Sequence, residues 1–189
     1  MFCNETTKTR CAVKRLFWGI DLSGDEIFSK FQFEKEGLLN NMKWVPPENY
    51  HATLCFLGNV EEERLGEIKR MGAEAAGLCS PFKIQISGVG AFPSLKNPRT
   101  LWYGIDLNPG LGCIHSKLKE RFAPYLCLSD KKFIPHMTFA KVKGRDYNLT
   151  GLPKINIEKL IREFCLFESV VKNGRVQYQK IEKFELNEI

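Results

Sequence analysis

The sequence predicts an α+β fold in which two similar lobes pack together after an internal duplication. Three observations predict it. Strand-like segments outnumber helical ones. The order strand, capped helix, strand opening at a histidine occurs twice. The tetrapeptide Gly-Ile-Asp-Leu also recurs, at 19–22 and 104–107. A chain of 189 residues suits one globular domain or two small lobes in intimate contact.

The first strand is RLFWGIDL, residues 15–22, rich in β-formers and stopped by Ser-Gly. Ser23 and Glu26 have the spacing of a capping box, which predicts a helix to about Glu36. KWVPP, residues 43–47, reads as a short edge segment ended by two prolines. HATLCFLG, residues 51–58, is a strand. Asn59, with Glu62 three residues on, predicts a cap for a helix running to about Leu78, with acidic residues in its first turn.

FKIQISGVGAF, residues 82–92, alternates apolar and polar side chains as a half-buried strand does. PSLKNPR reads as a loop, and TLWYGIDL, residues 100–107, as the next strand. Asn108-Pro109 pairs a cap with a proline at the first helical position, so a helix follows to about Phe122. FIPHMTFAKVK, residues 133–143, is a strand with a proline near its start. Residues 152–162 suggest one helical turn. Two strands then flank Asn173-Gly174, a strong hairpin signal, and the spacing of Val176, Tyr178, Ile181 and Phe184 requires a slip in register.

Composition narrows the class. Hydrophobic residues make up 43% and charged residues 26%, enough for a proper core. No apolar run approaches the roughly 20 residues that cross a bilayer, and the polar start has no secretory apolar region. The expectation is a cytosolic protein with no membrane partner. Seven scattered cysteines without a C-x-x-C pair read as buried thiols rather than a disulfide framework. Cys113-x-His115 is the nearest approach to a zinc motif and lacks the clustered ligands zinc needs. No phosphate-cradling G-x-x-x-x-G-K loop occurs, so triphosphate hydrolysis is not indicated. A net charge of +6 favours anionic partners, nucleic acid first among them.

The chemistry concentrates in HATL (51–54) and HMTF (136–139). Side chains at i and i+2 of a strand share a face, so each motif offers an imidazole beside a hydroxyl: His51 with Thr53, His136 with Thr138. Facing one another across a groove, the two pairs suit displacement at a phosphodiester. One neutral imidazole takes a proton from water, and the other, protonated, gives one to the leaving oxygen. The threonine hydroxyls donate to the non-bridging oxygens. One His-x-Thr on a strand is a common accident. Two of only three histidines opening matching tetrapeptides in a repeat are not. His115, mid-helix, reads as a surface or packing residue.

These paired motifs, with RLFWGIDL, KWVPPENYHATLCFLGNV, GVGAFPSLKNPRTLWYGIDL, PHMTFAKVK and FESVV, resemble the two-histidine (2H) phosphoesterases, specifically the RNA 2′,3′-cyclic phosphodiesterase or 2′-5′ RNA ligase family. The resemblance covers nearly everything from Arg15 onward. It implies one domain over 15–189, made of two intertwined lobes after an N-terminal extension at 1–14. Antiparallel sheets would line a central cleft, with helices outside. It further implies hydrolysis of RNA 2′,3′-cyclic phosphate ends to 2′-phosphomonoesters by a monomer that needs no metal or cofactor. Carried over, His51 protonates the leaving 3′ oxygen and His136 activates water. The fifth residue after the second histidine, a basic phosphate-binding group and often arginine in the family, is Lys141 here, which keeps the charge and loses the bidentate fork. Phe56, five after the first histidine, matches an aromatic that contacts the terminal nucleoside. Simple alternation puts Lys141 and Phe56 on the face opposite the histidines, so each needs a bulge or twist to reach the cleft. Reversible 2′-5′ end joining, another 2H substrate such as 2′-5′ oligoadenylate or a cyclic nucleotide, and a non-catalytic RNA-end binder are the alternatives.

Overall fold

The computed structural model describes residues 12–24, 28, 41–122, 132–144, 149–150, 152 and 154–188. Among these residues nine strands form one antiparallel sheet: β1 Val13–Asp21, β2 Met42–Trp44, β3 His51–Glu61, β4 Phe82–Ser94, β5 Asn97–Ile105, β6 His136–Val142, β7 Asn156–Ile161, β8 Glu163–Lys172 and β9 Arg175–Glu185. Their order is β7-β4-β5-β6-β3-β1-β8-β9, with β2 paired to β6 outside this path. The order is palindromic about the β3–β6 seam. Each histidine strand lies next to the strand that carries a Gly-Ile-Asp-Leu, and β4 and β8 each pair with the opening strand of the other repeat. The duplication read in the sequence is thus laid out as one curled sheet with exchanged strands.

Alternation gives the sheet two faces. Leu16, Trp18 and Ile20 of β1 enter the main core, whose lid is formed by α1 (Leu65–Ala76) and α2 (Pro109–Phe122). Trp18 fills that core against Phe122, Phe164 and Phe184. It fits because residue 72 of α1 is glycine: a Cβ there would collide with the indole. On the opposite, concave face, Phe17, Cys165 and Phe167 make a smaller cluster with Tyr178 against it. Burial pushes the Cys55 and Cys165 thiols up to about 11, so they sit protonated as small core residues.

Several local expectations hold. Asn108 caps α2, its Oδ1 accepting the Leu111 amide at 2.9 Å. The prolines end β2 after three residues. Asn173 and Gly174 take the positive φ values (53° and 71°) of a two-residue hairpin, and the expected slip lies between Leu166 and Phe167.

Other readings are corrected. Asn59 and Glu62 form no helix cap: β3 runs on to Glu61 because β1 pairs with it as far as Val13↔Glu61, and a 3-10 turn precedes α1. Tertiary strand pairing overrides the local capping signal. Part of 152–162 is strand, not helix, since β7 hydrogen-bonds to the edge of β4. The supposed loop PSLKNPR shrinks to a turn at Leu95-Lys96, with Pro93 opposite Pro98 at a register shift. The capping box at Ser23 and Glu26 lies largely outside the described residues, although the Ser23 amide donates to Asp21 Oδ1 at 3.0 Å. Among the described residues no helix is long and apolar enough to cross a membrane.

Candidate active site

Strands β3 and β6 meet at the bridge Ala52↔Met137. Antiparallel pairing then sets His51 opposite Thr138 and Thr53 opposite His136. Ala52 and Met137 point into the core, so the four polar side chains share the concave face. Diagonal neighbours in such a ladder lie about 7–8 Å apart at their backbones, a span that admits one phosphate between two imidazoles. The rings sense each other: positive charge on His136 is one of the influences that lower the His51 pKa.

Each imidazole is held alike. Nδ1 of His51 lies 2.7 Å from the carbonyl of Asn49, and Nδ1 of His136 lies 2.7 Å from that of Ile134, two residues back in both cases. A carbonyl only accepts, so Nδ1 carries the proton and Nε2 is left for proton exchange in the groove. Their walls differ. His51 stands among Phe17 (4.9 Å between ring centres), Tyr178 (4.6 Å) and Phe167 (6.1 Å). His136 stands against Phe92 (5.0 Å) and Trp102 (5.7 Å). Burial, above all, holds His51 below the ordinary histidine range. Asp21, its neighbour on β1, pulls the other way but is itself ion-paired with Lys180.

Both bulges required for Lys141 and Phe56 exist, and at equivalent positions. The register of β3 on β1 shifts between Thr53 and Cys55, leaving Leu54 as the extra residue. That of β6 on β5 shifts between Thr138 and Ala140, leaving Phe139. Leu54 and Phe139 are both buried, and the parity beyond them is reversed. Phe56, 48% exposed, therefore joins the histidine face, with the Arg15 guanidinium 5.2 Å over its ring. Lys141 joins it too, beside Thr100 on one neighbouring strand and Lys43 on the other. The fourth residue of each motif is large and apolar because it anchors the bulge in the core.

Sequence reasoning misses three contributors. Asn49 and Tyr178 carry no motif. His115 packs, its ring stacked on Phe133 at 3.8 Å, and what the sequence does not show is that its Nδ1–H donates to the Leu54 carbonyl at 2.8 Å. The Cys113 sulfur lies 2.7 Å from that of Cys79.

The chain is 32% identical over 178 residues to the RNA 2′,3′-cyclic phosphodiesterase of Archaeoglobus fulgidus, covering 90% of this chain and 99% of that protein. It belongs to the LigT-like phosphoesterases of the 2H superfamily. The family model, LigT like Phosphoesterase, matches residues 31–102. A second relative of this phosphoesterase, the RNA 2′,3′-cyclic phosphodiesterase of Bacillus subtilis, is 29% identical over 158 residues, 82% of this chain and 86% of that protein. Among solved structures, a Thermus thermophilus protein superposes with a TM-score of 0.77 at 28% identity, covering 91% of this chain and 97% of its own. Escherichia coli LigT, solved with 3′-AMP, shares the fold with a TM-score of 0.78 at 24% identity, covering 94% and 100%. The phosphoesterase is accordingly an enzyme of the hydrolase class.

Proposed function

We propose that this phosphoesterase opens 2′,3′-cyclic phosphates at RNA ends to 2′-phosphomonoesters, by metal-independent acid–base catalysis between His51 and His136. The observation that carries the reading is the matched pair of imidazoles, each tied through Nδ1 to the carbonyl two residues back and each flanked by a threonine on the shared face. The names of the Archaeoglobus fulgidus and Bacillus subtilis relatives support the same substrate.

His136 Nε2 takes a proton from water as the water oxygen bonds to phosphorus. His51 Nε2 gives a proton to the 3′ oxygen as its bond to phosphorus breaks. The 2′ ester bond stays intact. Thr53 and Thr138 donate to the non-bridging oxygens, where charge must be held through the in-line displacement. Lys141 adds positive charge beside the phosphate, and Phe56, capped by Arg15, offers a face to the terminal base. Two imidazoles cover both proton transfers, so the scheme routes no step through a metal.

The test is a product assay. A short RNA ending in a 2′,3′-cyclic phosphate is incubated with the protein in excess EDTA. The expected product is the 2′-phosphate, with His51→Ala and His136→Ala each slower by about 10²–10⁴ while RNA binding persists. Loss of activity in EDTA, or full activity in either variant, refutes the scheme.

A further inference from the structure

Asn49 is the buried polar residue of the described core, 6% exposed. It ends a 3-10 turn, Pro47–Asn49, two residues ahead of His51. A buried side-chain amide needs partners for both its ends, and here one strand supplies both. Nδ2 donates to the Val176 carbonyl at 2.9 Å, and Oδ1 accepts the Tyr178 amide at 3.1 Å. Both partners belong to β9, the sheet's edge, which lies beyond β1 and β8 from β3. The clasp therefore reaches across the concave face from that edge to the turn that launches β3.

Two features of His51 converge on this residue. The Asn49 backbone carbonyl accepts the imidazole Nδ1–H at 2.7 Å, and the strand that its amide grips carries Tyr178, edge-on to the imidazole at 4.6 Å. The second motif has no counterpart. Its carbonyl comes from Ile134, an exposed apolar residue that cannot grip a strand. Fold closure alone needs no such convergence on one imidazole.

We propose that Asn49 is a positioning residue for His51: its amide clasps β9 to the turn ahead of β3 and so fixes both the carbonyl that orients the imidazole and the tyrosine that walls it. The proposal rests on the reading of His51 as a proton-transfer group. With the clasp gone, Tyr178 is free to lift, water reaches the ring, and Nε2 loses its fixed aim. Misplacement of a reacting group by about 1 Å costs on the order of 10²-fold in rate.

The experiment compares the parent with Asn49→Ala. Imidazole NMR follows the titration of both catalytic rings, and cyclic-phosphate RNA gives kcat and KM separately. In Asn49→Ala the His51 titration should leave its parental position, since water at the ring raises it and loss of the Asn49 carbonyl bond lowers it. kcat should fall about 10–100-fold at a KM changed less than about threefold. Asn49→Asp, which keeps the acceptor for Tyr178 and loses the donor to Val176, carries the kcat test should Asn49→Ala not fold. A variant that melts earlier yet keeps the parental His51 titration and kcat overturns the proposal and leaves Asn49 a purely structural clasp. The titration needs no substrate. If the parent itself leaves the cyclic phosphate intact, the functional reading fails, and the ring measurement still decides the positioning claim.

Discussion

His115 donates its Nδ1–H to the carbonyl of Leu54, the extra residue of the bulge in β3, at 2.8 Å. The equivalent bulge residue, Phe139 in β6, has its carbonyl satisfied by the Val45 backbone amide at 2.8 Å. A bulge leaves a carbonyl out of the ladder, and a buried carbonyl without a partner costs about 1–3 kcal/mol. Two halves of one duplicated sheet meet the same need with different groups. His115→Ala is therefore expected to lower unfolding stability by about 1–3 kcal/mol. His115→Asn, whose amide nitrogen sits near the place of Nδ1, should recover part of it. Denaturant midpoints measure both. An unchanged midpoint in His115→Ala would mean that the bulge does not depend on this bond.

Acid lability follows from the same histidine and from His51. Burial foremost holds both below the ordinary histidine range of about 6.5 in the folded protein. Above that value the ring is neutral folded or unfolded, and its full contribution is present. As pH falls below it the unfolded chain binds protons first, so stability declines until the folded pKa is reached. Melting temperatures should therefore drop as pH falls from about 7 toward 5.5, and His115→Asn should show a shallower drop than the parent. An equal slope in both proteins would remove His115 from the account.

The parts of the site that are legible in the sequence depend on local pattern. HATL and HMTF mark strands, alternation pairs each histidine with its threonine, and Asn108-Pro109 and Asn173-Gly174 announce their own geometry. The need for bulges before Phe56 and Lys141 follows from parity, and Leu54 and Phe139 meet it. Signals that compete with pairing across the sheet mislead. Asn59 looks like a cap until β1 extends β3 past it, and β7 has a strand partner only once β4 is in place. Asn49 and His115 are illegible because what they do is set by Val176, Tyr178 and Leu54, far away along the chain.

Lys141 tests how charge is supplied at the phosphate. It lies opposite Lys43 on β2, and like charges directly opposed in a ladder repel unless an anion sits between or beside them. Lys141→Ala should raise KM with a smaller effect on kcat, because Lys43 still provides charge, and the double variant with Lys43→Ala should raise it further. Lys141→Arg, which restores the bidentate fork, should bind cyclic-phosphate RNA at least as tightly as the parent. A KM unaltered in the double variant would remove both lysines from substrate binding.

The last prediction assigns the acid. Burial favours a neutral His51 in the free protein, yet the proposed step needs His51 protonated when the 3′ oxygen leaves. The cyclic phosphate diester carries one negative charge and no ionisation near neutrality, and its arrival beside the ring raises the imidazole pKa. Binding should thus take up a proton at pH values between the free and bound pKa of His51. Calorimetric titration of His136→Asn with cyclic-phosphate RNA, in two buffers of different ionisation enthalpy, reads that uptake without turnover. The uptake should vanish when His51→Gln is added. In the parent, kcat/KM should be bell-shaped, because the singly protonated pair of imidazoles is the productive state, and the bell has the same form whichever ring is the acid, so the proton uptake carries the assignment. Binding without proton uptake at His51 would exchange the roles: His51 would be the base that activates water and His136 the acid.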